Sequence, residues 1–72
     1  MYETSDLALA AYLYCSGTRL SQTDHKDPKR CIFIFEPPSP ELISKWQEGK
    51  ANVNALAYYN AYQALKTRLF MR

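Results

Sequence analysis

From Cys31 to Phe35 the chain reads Cys-Ile-Phe-Ile-Phe, an unbroken apolar run, whereas most other apolar positions recur at helical spacing. In a strand, Cys31, Phe33 and Phe35 face one way and Ile32 and Ile34 the other, because successive side chains alternate. A strand apolar on both faces is a central one with something packed on each side. Pro37 and Pro38 close the run at Glu36, since neither donates a backbone hydrogen bond.

The remaining pattern divides into five segments. Tyr2 and Glu3 form a short extended entry. Thr4-Ser5-Asp6 supplies a helix start, with Ser5 or Thr4 as N-cap and Asp6 in the first turn. That helix is predicted from Asp6 to about Cys15 and ends where Gly17 takes the left-handed conformation. It carries no charge after Asp6: Leu9, Tyr12, Leu13 and Ser16 lie on one face and Leu7, Ala10, Ala11 and Tyr14 on the other, so it is buried on more than one side. Residues 18–23 alternate weakly and suit a strand with one polar face, while 24–29, with His25 among them, cluster turn residues and read as the loop of a hairpin.

Ser39-Pro40-Glu41 starts a second helix, which presents Leu42, Ile43 and Trp46 on a narrow stripe and stops at Gly49. It is too short to stand alone, so Trp46 is expected in the core or on a partner. Asn54 caps the longest helix, from Ala55 to about Phe70, with Val53 and Tyr58 placed for a hydrophobic staple. Tyr58, Tyr62, Leu65 and Leu69 form its core seam, flanked by Ala55 and Ala61; Tyr59, Gln63, Lys66 and Phe70 form a second stripe. The expected architecture is a single α+β domain over residues 1–72. A small antiparallel sheet, made of the N-terminal strand and the hairpin, carries three helices in the order β-α-β-β-α-α. Phe33, Leu13, Leu65 and Trp46 are the expected core.

Composition narrows what such a domain does. A hydrophobic content of 47% with only 2 Gly and 4 Pro describes an ordered domain. A domain of this length buries only roughly 60% of its unfolded surface. The longest apolar run, Leu7 to Cys15, cannot span a bilayer, and the first residues lack a secretory signal, so a cytoplasmic location is expected. Cys15 and Cys31 lack the spacing of a metal or redox motif and read as buried small hydrophobes; a site joining them to His25 has no motif behind it. With one His, in a polar turn, and no glycine-rich phosphate loop, no catalytic residue, cofactor or metal is expected.

Charge and aromatic content leave two kinds of partner. Net charge is +2, yet no acid follows Glu48, whereas Lys50, Lys66, Arg68 and Arg72 do. Ten of 72 residues are Tyr, Phe or Trp, more than so small a core conceals, and such side chains anchor protein interfaces. A protein-interaction module, binding itself or a larger assembly through Tyr14, Tyr59 and Phe70, is therefore the first expectation. The alternative is a nucleic-acid-binding protein whose basic hairpin and terminal helix offer Arg19, Lys29, Arg30, Lys66 and Arg68 to phosphates. Dispersed acids, Asp24 and Asp27 in the hairpin, weigh against it.

The Tyr2-Glu3-Thr4-Ser5-Asp6-Leu7 start, the strand ending Phe35-Glu36 and the Leu65-Lys66-Thr67-Arg68-Leu69 terminus together resemble a small family of bacterial and viral proteins catalogued as a domain of unknown function. The resemblance spans nearly the whole chain. Its shared elements are architectural, so it implies a fold and transfers no activity or site residue. Occurrence in viruses and mobile elements would favour a role beside nucleic acid or in host interaction.

Overall fold

The structure, a computed structural model, describes residues 1–27 and 30–70, and the side chains of these except at 26, 27, 30, 69 and 70. The contacts expected of Lys29, Arg30, Phe70 and Leu69 therefore lie outside the described residues. Element order is β1 (Tyr2–Thr4), α1 (Leu7–Cys15), β2 (Leu20–Asp27), β3 (Arg30–Phe35), α2 (Pro40–Gln47) and α3 (Ala55–Phe70), the expected α+β order.

The strand predicted to be central is central: the sheet order is β1-β3-β2, and both neighbours run antiparallel to β3. Tyr2, Glu3 and Thr4 stand opposite Phe35, Ile34 and Phe33. On the other side Leu20 pairs with Phe35 and Thr23 with Phe33. β2 is longer than its sequence pattern predicts. Asp24 pairs with Ile32 and Asp27 with Arg30, and irregularities between Leu20 and Gln22 and between Asp24 and Asp27 absorb the mismatch. His25 is thereby corrected from a loop residue to a half-buried strand residue, because the pairing of Asp24 and Asp27 on either side of it carries the strand through and outweighs local turn preference.

The two faces of β3 are covered by different means. Phe33 and Phe35 join Leu9, Ala10, Ala11, Tyr12 and Leu13 of α1 and Ala61 and Leu65 of α3 in one core cluster. Ile34 is also buried but stands outside that cluster, flanked by its register partners Glu3 and Gln22 across the two neighbouring strands. Long polar side chains cover apolar surface with their stems. The expectation of something packed on each side is met on the Phe33 and Phe35 face, by α1 and α3, whereas the residues shown beside Ile34 are its neighbours within the sheet.

α1 has five consecutive buried residues, Leu9 to Leu13, as its charge-free sequence requires. Its N-cap is Asp6, correcting the expectation of Ser5 or Thr4: the Asp6 carboxylate accepts from the Ala8 and Leu9 amides at 3.0 and 3.4 Å, and the Thr4 hydroxyl oxygen accepts from the Asp6 amide. At the other end Thr18 N–H reaches Leu13 C=O and Gly17 N–H reaches Tyr14 C=O, with Gly17 at φ 93°. This paired closure satisfies two helix carbonyls and needs a left-handed residue. α2 closes identically: Lys50 N–H reaches Lys45 C=O, Gly49 N–H reaches Trp46 C=O, and Gly49 has φ 72°. Ser39 and Asn54 cap α2 and α3 as expected, through Glu41 N–H and Ala57 N–H.

α2 contributes no fully buried residue, so Trp46 is a half-buried prop and not a core residue. Its ring stacks on Tyr12 at 5.1 Å between centroids, and the Tyr12 hydroxyl donates to Leu42 C=O at 3.0 Å. The flat indole rides on α1 because the sheet side of that helix is already filled by phenylalanines.

α3 meets α1 through a narrow seam. Ala61 and Leu65 are buried, Tyr58 and Tyr62 half-buried, and the Tyr58 hydroxyl donates to Ala8 C=O at 3.2 Å. Ala55, expected to flank the seam, is exposed. Burial, followed by the charges of Tyr62, Asp6 and Cys15, pushes the Tyr58 phenol above its usual range. A folded-state pKa above the unfolded one favours folding while the phenol is protonated, and that contribution fades as pH rises past about 10. The melting temperature should therefore fall more steeply between pH 9 and pH 11 in wild type than in Tyr58→Phe. Parallel curves for the two proteins would contradict this.

Candidate functional site

The outward surface of α3 follows from its period. With Ala61 and Leu65 turned to α1, residues Leu56, Tyr59, Gln63 and Lys66, at steps of three, four and three, fall along the opposite side. All four are exposed, and two are large and apolar: Leu56 is 66% exposed and Tyr59 59%. A stripe of this length, Leu56 to Lys66, extends about 15 Å at the helical rise. Tyr59 was expected on this stripe. Leu56 was missed in the sequence, although it lies three residues before Tyr59 and extending the stripe backward finds it.

Tyr14, the other expected contact whose side chain is described, sits elsewhere. It is 37% exposed, in the last turn of α1, whereas Tyr58 docks α3 onto Ala8 at the first turn. Tyr14 and Tyr59 thus lie on different helices, α1 and α3, and the side chain of Phe70 lies outside those described.

The basic residues are also distributed. Arg19 precedes β2 and lies 3.9 Å from the Glu36 carboxylate, with both side chains open to solvent. Arg68 instead borders an open cleft with Thr23, His25, Ala64 and Thr67, near the far end of β2. Leu20 and His25 are separated by about 17 Å of strand. Lys66 projects from α3 on the outward stripe, roughly 160° around the helix from Arg68. Thr67 is already committed, its hydroxyl donating to Gln63 C=O at 2.9 Å.

The titratable chemistry is sparse. Cys31 Sγ lies 3.9 Å from His25 Nε2, and burial followed by the Asp24 charge raises the Cys31 thiol above its ordinary range. Burial also raises Cys15, against the lowering effect of hydrogen bonds at Ser16 and its own backbone. Both thiols are thus held in the less nucleophilic protonated form. Among the described residues no three His, Cys, Asp or Glu side chains come together, and no helix is long and apolar enough to cross a membrane.

No curated protein and no solved structure matches the chain. A protein-family model does match, over residues 1–71, and covers every element described above. The chain belongs to the family described as Domain of unknown function (DUF5659).

Proposed function

We propose that this domain is a non-enzymatic protein-interaction module and that α3 presents its contact face. The observation that carries the reading is the exposure of Leu56 and Tyr59 one turn apart on a helix whose opposite side is fixed to the core. A leucine and a tyrosine left that open on a small domain are the kind of anchor whose burial drives association. Tyr14 is a separate, smaller contribution, and Phe70 belongs to the same stripe in the sequence.

The reading is tested by panning a displayed library of random twelve-residue peptides on wild type and on Leu56→Ala/Tyr59→Ala. Alanine keeps the helix, so the pair of substitutions removes contact area and little else. Peptides recovered on wild type should bind the double variant at least tenfold more weakly. Equal recovery on both proteins would defeat the proposal.

A second reading comes from the basic residues of the sequence, of which Arg68 borders the Thr23–His25 cleft, apart from the outward stripe of α3. On that reading Lys66 and Arg68, with Arg19, Lys29 and Arg30, hold nucleic-acid phosphates. Binding to a short DNA at low salt that disappears in Lys66→Glu/Arg68→Glu and survives in Leu56→Ala/Tyr59→Ala would favour it over the first.

A further inference from the structure

Resting on the interaction reading of α3, we infer that its partner is an acidic, amphipathic segment of another protein. Apolar side chains of that segment seat on Leu56 and Tyr59, and its carboxylates face Lys66. The argument begins with charge. α3 contains no acidic residue, and Lys66 is the charged group on its outward stripe. The ion pairs Arg19–Glu36, Lys45–Glu41 and Lys50–Glu48 all lie away from α3. The stripe therefore runs from an apolar end to a cationic end, with no carboxylate of its own to complement the cation. A segment of opposite pattern satisfies both ends, and complementary charge fixes its direction.

Other occupants fit less well. A second copy would make an isologous contact. An antiparallel α3 pair centred between Leu56 and Lys66 sets each ammonium against the apolar end of its neighbour, and a parallel pair sets Lys66 against Lys66. Neither supplies a carboxylate. A nucleic acid needs several cations along one track, whereas Arg68 turns toward the β2 cleft and Arg19 lies beyond the other end of that strand.

The test uses the peptides recovered by panning, their composition, and their affinity for Lys66→Glu, alongside light scattering of the wild type over a range of concentration. The expected result is a set of net-acidic peptides carrying spaced aliphatic or aromatic residues, bound about three- to tenfold more weakly by Lys66→Glu, an effect in keeping with a solvent-exposed ion pair. The protein should stay monomeric. Neutral or basic peptides that depend on Leu56 and Tyr59 but ignore the lysine would overturn the acidic partner while leaving the interaction reading intact. A dimer abolished by Leu56→Ala/Tyr59→Ala would assign the face to a second copy and overturn it as well. If nothing is recovered, or if a twelve-residue oligothymidylate displaces the peptides and is itself lost in Lys66→Glu, both the inference and the reading beneath it fail.

Discussion

Phe33→Ala should remove about half of the domain's stability and move its urea midpoint sharply downward. Phe33 is 1% exposed, sits on the central strand and pairs with Thr4 and Thr23 on its two sides, so its ring is where the sheet meets the buried helix α1. Truncating a buried phenylalanine costs about 3–5 kcal/mol, as lost transfer energy plus the cavity left behind. A chain of this length has roughly 4–11 kcal/mol of total stability. The core offers little compensation: Leu13, Leu65 and Phe35 are already fully buried and locked into the same cluster, and the neighbouring positions Ala10, Ala11 and Ala61 are too small to move into the void. Urea denaturation followed by circular dichroism gives the answer. A variant whose midpoint is unchanged would mean that Phe33 is not the packing centre of the fold.

The second large effect is local. Trp46→Ala should release α2 while leaving the sheet and α1 folded. The helix has eight residues, none of them fully buried, and segments that short are marginal in water without tertiary support. Its support is the stack of Trp46 on Tyr12 and the hydrogen bond from the Tyr12 hydroxyl to Leu42 C=O, with Leu42 and Ile43 packed alongside. Removing a half-buried indole and its ring contact costs about 2–4 kcal/mol. The exposed Lys45–Glu41 pair is too weak to hold the helix in its place. Amide hydrogen exchange should therefore quicken tenfold or more at residues 44–47, with far less change at residues 10–13. Uniform loss of protection across both helices would show instead that α2 and α1 open as one unit.

Much of this fold is legible in the sequence because its signals are local. Pro37-Pro38 ends the strand, Ser39-Pro40 and Asn54 begin helices, and Gly17 and Gly49 end them; each of these residues acts through its own backbone or that of close neighbours. The charge-free stretch Leu7 to Cys15 could only be a helix buried on several sides, and the five buried residues Leu9 to Leu13 bear this out. What the sequence concealed was decided at a distance. Asp24 and Asp27 look like turn residues until Ile32 and Arg30 of β3 pair with them and draw His25 into the strand. Trp46 reads as core because tryptophan usually is, yet the space beneath α1 is taken by Phe33 and Phe35, so the indole settles on Tyr12. Asp6 displaced Ser5 as the cap by a shift of one residue, the scale at which helix boundaries are least determined by pattern. For the candidate site, periodicity put Tyr59 and Lys66 on one stripe, but the exposure of Leu56 depended on where Tyr58 anchors α3 to Ala8.

The claim that the outward side of α3 is a protein-binding face is tested most directly by amide chemical-shift mapping while the peptides recovered in panning are titrated onto wild type. The account expects the largest shifts at Leu56, Tyr59, Gln63 and Lys66, with the seam residues Ala61 and Leu65 moving less. Shifts concentrated instead at Thr23, His25 and Arg68, or on the sheet around Ile32 and Ile34, would place binding on another surface and contradict it.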